Sequence, residues 1–209
     1  VRAVGGLSRA PASGARIVVQ HKPAGVAVLV TPWNFPAAMA TRKIGPALAA
    51  GCTVVLKAAP DTPWSATMLG RLVKGHTDMP AGVFNVITSE DPRVVGDQLV
   101  GDPRVDMVSF TGSTAVGKHI MARASATVKK VFLELGGKSA NILLDDADFG
   151  NALLSALAVC FHAGQGCAVQ SRLLVPKSRE DEAKAILAAT YEAYSTQWGD
   201  FDAPACMMG

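Results

Sequence analysis

The chain has 209 residues, of which 49% are hydrophobic and 18% charged, and its formal net charge is +3. This apolar content can support a sizeable core, whereas so small and dispersed a charge does not favour a nucleic-acid partner. No apolar stretch reaches the roughly 18–20 residues that a membrane-spanning helix needs. The four cysteines have irregular spacing, which indicates reduced thiols of a cytoplasmic protein, and the four scattered histidines indicate no metal site.

Short apolar strands alternate with amphipathic helices along the first two thirds of the chain. This alternation is typical of a parallel sheet with helices on both faces, so we predict an α/β fold. Strands are predicted over 26–31, 53–57, 82–87, 105–110 and 129–135, and helices over 36–50, 63–74, 92–100 and 112–124.

The pattern begins again after the glycine pair at 136–137, where we place a domain boundary. A second α/β unit is predicted over 136–209, with strands at 140–144 and 172–175 and helices at 148–162 and 180–194. Residues 23–135 then form the first domain. Residues 1–22 fit neither unit, and the alternation over 16–21 is typical of an exposed strand, one that would pair with another subunit.

A glycine-rich turn joins the fourth predicted strand to its helix. Gly112-Ser-Thr-Ala-Val-Gly117 would present free backbone N–H groups and the positive end of the helix dipole to an anion such as phosphate. The turn is not the GxGxxG fingerprint, and its glycines are also explained by a tight turn and close helix packing. With Lys118 it approaches the P-loop of NTPases, but His119 stands where that motif needs Ser or Thr for magnesium.

Cys167 is a candidate nucleophile. It stands in the segment Gly-Gln-Gly-Cys-Ala at 164–168, whose small side chains leave the thiol uncrowded. Most free cysteines are buried as small hydrophobic residues, which is our interpretation of Cys52, Cys160 and Cys206.

Glu134 and Asn34 would complete a set of groups suited to making a thioester and hydrolysing it. Glu134 ends an apolar strand, where its carboxylate is either paired with Lys130 or Lys138 or available to activate water. Asn34 stands in a turn bounded by prolines, where its amide can satisfy the backbone or stabilise an oxyanion.

Taken in this order around the glycine-rich turn, these segments resemble the NAD(P)-dependent aldehyde dehydrogenase superfamily. The resemblance implies a Rossmann-like cofactor domain, the start of a catalytic domain, and oxidation of a small-molecule aldehyde to its carboxylic acid. It makes Cys167 the nucleophile that forms a thiohemiacetal and then a thioester, and Glu134 the base that activates water to hydrolyse it. The Asn34 amide would stabilise the oxyanion together with the backbone N–H of Cys167.

The resemblance also assigns residues to the cofactor. Lys57, otherwise a solvated charge, would contact the adenosine ribose, and Ser113 the pyrophosphate. The family usually has a Glu three positions after this lysine, but Pro60 stands there, which leaves both NAD and NADP open. The implied cofactor residues are Thr31, Pro32, Trp33, Lys57, Gly112, Ser113, Gly117 and Leu135.

The segment at 36–43, Pro-Ala-Ala-Met-Ala-Thr-Arg-Lys, resembles the succinate-semialdehyde dehydrogenase branch. There an arginine at the position of Arg42 pairs with the substrate carboxylate, although Arg42 can equally be a charge on a helix face. The second arginine of that branch is absent here, and Phe161 favours an apolar aldehyde. Phe35 is a further candidate for the substrate site.

The resemblance covers essentially the whole chain, whereas family members are much longer. It implies that the full-length enzyme is a homodimer or homotetramer with residues 5–23 in an intersubunit hairpin. It also implies that this chain alone is inactive, which robust turnover by the 209-residue chain would refute. The alternatives are a truncated fragment that binds nucleotide without catalysis, and a P-loop NTPase.

Overall fold

The computed structural model describes residues 6–9, 16–200, 202–204 and 206. The chain divides into two compact units, Val1–Leu135 and Gly136–Gly209, and each contains parallel strands and helices. The predicted α/β fold with a parallel sheet is confirmed. Within the described part of the chain, no helix is long and apolar enough to cross a membrane.

The first unit begins with a two-stranded antiparallel sheet. Strands β1 (Gly6–Arg9) and β2 (Arg16–Val19) pair so that Gly6 lies opposite Val19. The rest of the predicted hairpin, at 1–5 and 10–15, lies outside the described residues, and its role in assembly stays a prediction.

Five parallel strands form the main sheet of the first unit. From β3 the chain adds β4 and then β5 on one side, and β6 then pairs with the other side of β3, followed by β7. Ligands of open α/β sheets bind in a crevice outside the carboxyl ends of the strands at such a reversal, so we expect this crevice at the ends of β3 and β6. The strands are β3 (Val26–Val30), β4 (Thr53–Lys57), β5 (Phe84–Ile87), β6 (Met107–Gly112) and β7 (Lys130–Leu135).

Helices cover both faces of this sheet, as the continuous apolar strands predict. Alternate residues of β3 point to opposite faces, and Ala27, Val28 and Leu29 are all at most 1% exposed. Helices α1 (Pro36–Ala49) and α2 (Pro63–His76) contribute to one apolar core, and α3 (Pro92–Gly101) and α4 (Thr114–Ala124) to the other.

A glycine and a carboxylate fix the start of β3. Gly25 has a φ of +113°, a backbone conformation that residues with a Cβ rarely adopt. The Asp106 carboxylate accepts a hydrogen bond from the Val26 N–H at 2.8 Å. Its Oδ2 would lie 2.0 Å from a Cβ added at Gly25, so this hydrogen bond depends on the missing side chain.

The second unit is a smaller α/β assembly. Strands β8 (Ala140–Ile142) and β9 (Arg172–Leu174) pair in parallel, and helices α5 (Phe149–Ala152) and α6 (Glu180–Tyr194) contribute the buried residues Phe149 and Ala183 to the core. The Arg179 guanidinium lies 3.6 Å from the centre of the Phe149 ring and donates to the backbone oxygens of Asp145 and Ala147. These contacts hold the turn before α5 against the start of α6.

The prediction of a single α-helix over 148–162 is wrong. Helix α5 ends at Ala152, and tighter 3₁₀ turns follow over Leu153–Val159 and Phe161–Gly164. The Ser155 hydroxyl donates to the Ala152 oxygen at 2.6 Å and accepts from the Asn141 amide at 2.7 Å. A side chain that bonds a carbonyl three residues back competes with regular α-helical hydrogen bonding, which the apolar pattern alone does not reveal.

Candidate active site

Every predicted cofactor residue except Gly117 lies at the carboxyl edge of the main sheet. Val30, the last residue of β3, is in register with Lys57 on one side and with Phe110 on the other. The carboxyl ends of three neighbouring strands therefore meet at the crevice. Thr31, Pro32 and Trp33 follow β3, Lys57 ends β4, Gly112 ends β6 and is followed by Ser113, and Leu135 ends β7.

Lys57 is buried, so its interpretation as a solvated charge is wrong. The residue is 3% exposed, and burial lowers the pKa of its ammonium group. Within the described part of the chain, its Nζ donates to the backbone oxygen of Ala58 at 3.1 Å. An ammonium group has three donors, so Lys57 can still donate to a polar ligand at the crevice.

Buried Thr31 ties the end of β3 to the end of β4. Its backbone N–H donates to the Lys57 oxygen at 3.1 Å, and its hydroxyl lies 3.4 Å from the same oxygen. The turn at 31–35, which contains half-buried Asn34 and Phe35, leads directly into α1. The amide of Asn34 is therefore presented from the end of a central strand.

The turn between β6 and α4 consists of Ser113 alone. The Ser113 Oγ accepts a hydrogen bond from the Val116 N–H at 3.3 Å, which leaves the hydroxyl proton available for a ligand. The amides that open α4 suit an anion. A one-residue connection lacks the longer loop with which a P-loop surrounds phosphates, so the geometry does not support that alternative.

Gly117 and Gly112 are both closely packed by neighbouring side chains. A Cβ at buried Gly117 would lie 2.8 Å from the Leu135 Cδ2, and one at Gly112 would lie 2.4 Å from the Phe110 Cζ. Neither of these two glycines has a positive φ, so the backbone conformation does not by itself call for glycine at either position. The packing interpretation of this turn therefore holds alongside any role in cofactor binding.

We expect Gly117→Ala to lower the free energy of unfolding by about 1–2 kcal/mol, because the new methyl group displaces the Leu135 side chain. The same change in a Leu135→Ala background should cost less, with a coupling of about 1 kcal/mol between the two positions. Urea unfolding of the four proteins measures this cycle, and additive effects would contradict the packing contact.

A groove of about 470 Å³ lies between α1 and the strands β6 and β7. Glu134, the predicted base, lines it together with Arg42, the predicted substrate residue. Ser109 and Thr111 of β6 face the groove beside Phe132, because alternate residues of a strand share one side of the sheet. The structure therefore places Glu134 and Arg42 at one cavity within the first unit.

Lys43 also lines the groove, and the sequence analysis did not identify it. Its Nζ donates to the Ser109 Oγ at 2.8 Å. Burial lowers the pKa of Lys43 to about 8; the carboxylate of Glu134 opposes this shift, and the neighbouring Arg42 adds to it. Lys43 follows Met39, another residue that lines the groove, by four positions. Because residues four apart share one face of a helix, this spacing could have predicted that Lys43 faces the groove.

The alternative that Glu134 pairs with Lys130 is wrong, whereas its pairing with Lys138, which belongs to the second unit, stays a prediction. Among the described residues of the first unit, Lys130 forms no ion pair with the Glu134 carboxylate. Lys130 stands four residues earlier on β7, about 13 Å away along an extended strand. Glu134 is exposed, so its carboxylate is accessible.

Cys167 lies in the second unit as a free, half-exposed thiol. Cys52 is buried as predicted, but Cys160 and Cys206 are half-exposed, so the prediction of burial is wrong for these two. Exposure alone therefore does not single out Cys167.

The backbone shortly before Cys167 makes a left-handed turn. His162, Ala163 and Gly164 have φ values of 56°, 52° and 72°. Non-glycine residues pay about 1–2 kcal/mol each for this conformation, and such strain is found most often at functional sites. Phe161, at the start of this turn, is 44% exposed and meets the Tyr194 ring edge-on at 6.2 Å.

The Aldehyde dehydrogenase family model matches residues 2–209. The chain is 51% identical over 161 residues to the succinate-semialdehyde dehydrogenase [NADP(+)] GabD of Escherichia coli K12, covering 77% of this chain and 33% of that protein. It is 42% identical over 200 residues to a succinate-semialdehyde dehydrogenase of Paenarthrobacter nicotinovorans, covering 95% of this chain and 44% of that protein.

Solved structures agree with these sequence matches. The succinate-semialdehyde dehydrogenase from Burkholderia pseudomallei superimposes with a TM-score of 0.89 at 41% identity, over 99% of this chain and 42% of that one. Betaine aldehyde dehydrogenase from Staphylococcus aureus, solved in complex with NAD+, gives 0.88 at 37% identity, over 98% of this chain and 40% of that one. The chain spans less than half the length of these relatives. Because both the sequence and the fold match over nearly all of its residues, the chain belongs to the aldehyde dehydrogenase family.

Proposed function

We propose that the protein oxidises an aldehyde to a carboxylic acid with NAD+ or NADP+. The observation that carries this proposal is the crevice at the carboxyl edge of the main sheet, where Thr31, buried Lys57 and the start of α4 converge. In a chain of this family, that crevice supports dinucleotide binding next to the segment that contains Asn34.

The residues at the crevice fit a dinucleotide. The first amides of α4 suit the pyrophosphate, and the remaining donors of Lys57 suit ribose hydroxyl groups. Trp33, which is 47% exposed, offers an apolar surface beside them. When bound, the nicotinamide ring of the cofactor supplies the acceptor for a hydride.

The residues of the chain carry out the remaining chemistry. The Cys167 thiolate adds to the carbonyl carbon of the aldehyde, and the oxyanion is stabilised by the Asn34 amide and the Cys167 N–H. Loss of hydride from this adduct leaves a thioester. Glu134 then takes a proton from water, the resulting hydroxide attacks the thioester, and the acid leaves as the thiolate re-forms.

The proposed substrate is an aldehyde that also bears a carboxylate. Arg42 lies in the same groove as Glu134, and an arginine can pair with a carboxylate in a bidentate manner. The names of the relatives, succinate-semialdehyde dehydrogenases of bacteria and mammals, support the same class. The preference of Phe161 for an apolar aldehyde is the competing prediction.

Replacing exposed Pro60 with glutamate should discriminate against NADP+. A carboxylate three residues after Lys57 would repel the 2′-phosphate, so we expect Kd for NADP+ to rise by about 10-fold or more while Kd for NAD+ changes little. Titration calorimetry with both dinucleotides measures this, and Pro60→Gln is the uncharged control. Equal changes in Kd for NAD+ and NADP+ would show that the 2′-phosphate does not bind near position 60.

The reaction itself is tested by the absorbance of reduced nicotinamide. Succinate semialdehyde is compared with butanal, which has the same chain length and no carboxylate. Reduction that requires both aldehyde and dinucleotide, and that is faster with the semialdehyde, is the expected result. Robust reduction by the 209-residue chain would support the proposal and refute the expectation that this chain alone is inactive, whereas dinucleotide binding without reduction by either aldehyde would favour a binding role alone. Assembly as a homodimer or homotetramer remains a prediction from the family resemblance, and a cytoplasmic location remains a prediction from the spacing of the cysteines.

A further inference from the structure

Lys43 combines two properties that are seldom found together in a lysine. It is half-buried on the face of α1 that packs on the sheet, and its Nζ still faces a groove wide enough for a small molecule. The Ser109 hydroxyl holds this nitrogen at 2.8 Å, on the same side of the sheet as Glu134. The proposed oxidation does not use the Lys43 amine.

We propose that Lys43 is a carbonyl-reactive amine that captures carboxylate-bearing aldehydes in this groove as a reversible imine. The site lies entirely within the first unit and requires neither Cys167 nor a dinucleotide. It shares with the proposed function the class of aldehyde and two residues of the groove, Arg42 and Glu134.

The reaction balances without an oxidant or a reductant. The lone pair of the neutral amine forms a C–N bond to the aldehyde carbon, and a proton passes from nitrogen to oxygen, giving a carbinolamine. Loss of water then forms the C=N bond, and hydrolysis reverses both steps. A lysine must lose its proton before it can attack, and a pKa of about 8 makes a substantial fraction of Lys43 neutral at mildly alkaline pH.

Two neighbours in the groove suit this chemistry. Arg42 precedes Lys43 on α1 and lines the same groove, so its guanidinium can attract the carboxylate of the aldehyde. Glu134 can exchange the protons that carbinolamine formation and loss of water require. A neutral aldehyde would gain only the second of these effects.

Other lysines of the first unit provide internal comparisons. Lys57 also has a lowered pKa, but it is 3% exposed and is not among the residues that line this groove. Lys22 lines the same groove and is exposed, so it meets the same aldehyde without the burial that lowers the pKa of Lys43. Lys22 is therefore the matched control.

The test uses glyoxylate, the smallest aldehyde with a carboxylate, followed by borohydride, which reduces the imine to a stable secondary amine. Peptide mass mapping then locates the added carboxymethyl group. We expect labelling of Lys43 about 10-fold faster than that of Lys22 at neutral pH, with a rate that rises through pH 8. Lys43→Arg should remove this label, and Cys167→Ser should leave it in place.

Arg42→Gln separates attraction of the carboxylate from reactivity of the amine. It should slow labelling by glyoxylate more than labelling by acetaldehyde, which has no carboxylate. Labelling spread evenly over exposed lysines, or labelling lost in Cys167→Ser, would overturn the proposal. The proposed oxidation is measured separately, by the absorbance of reduced nicotinamide. If no reduced nicotinamide forms, the labelling of Lys43 should still be observed.

Discussion

Replacing Cys167 with alanine should lower the rate of nicotinamide reduction by about 10⁴-fold or more, because no other group in the proposed mechanism forms the thiohemiacetal that loses hydride. Glu134→Gln should lower steady-state turnover by about 10²–10⁴-fold through loss of the base. The two variants should nevertheless differ in the first rapid phase of cofactor reduction. Glu134→Gln should still reduce one equivalent of cofactor per chain in a first rapid phase, since hydride loss precedes the step that needs the carboxylate.

Rapid-mixing absorbance and intact mass together measure this difference. The Glu134→Gln protein should accumulate an acyl adduct that maps to Cys167, and the Cys167→Ala protein should show neither adduct nor burst. Cys160→Ala is the matched control, because Cys160 is also half-exposed and precedes Cys167 by seven residues. A burst that survives in Cys167→Ala, or one that vanishes in Cys160→Ala alone, would contradict the assignment of the nucleophile.

Gly25→Ala should be the most destabilising small substitution in the first unit. The alanine must adopt a φ of +113°, and its Cβ meets the Asp106 carboxylate at 2.0 Å. The carboxylate has to move, which also removes its hydrogen bond to the Val26 N–H. Strain and the lost hydrogen bond together should lower the free energy of unfolding by about 3–5 kcal/mol.

Gly82→Ala is the matched control for Gly25→Ala. Gly82 also has a positive φ, +86°, but no described atom lies within 4 Å of the Cβ that alanine would add. It should cost about 1 kcal/mol, from backbone strain alone. Urea unfolding measures the free energy of unfolding. Hydrogen exchange of the β3 amides then reports on the first unit separately from the second. Equal costs for the two variants would show that the Asp106 contact contributes nothing.

The regular elements were largely predictable because their signals are local. The bounds of β4 and α6 match the prediction, since each is an uninterrupted pattern ended by a change in composition. The break after Ala152 was not predicted, because the apolar pattern continues through it. Ser155, just beyond the break, contacts Asn141, which lies fourteen residues earlier in the chain, and such contacts between segments leave no local signal.

In the candidate site, too, local motifs were predictable from the sequence, whereas features that depend on packing were not. Motifs identified Cys167, Glu134 and Asn34, and the resemblance assigned their roles, which stay predictions. The burial of Lys57 and the position of Lys43 depend on which helix covers which strand, and no motif encodes that. Charge in the sequence therefore indicated which residues are ionisable, whereas only packing revealed which of them are desolvated.

The order of strands in the main sheet also determines when the crevice can form during synthesis. Strand β3 pairs first with β4, which leaves the ribosome soon after it, but its other partner, β6, follows only roughly 80 residues later. Until then the nascent chain presents one open edge of β3, which is a site for mispairing with other chains. We therefore expect the proposed dinucleotide affinity to appear late, when β6 pairs with β3, and not during earlier folding.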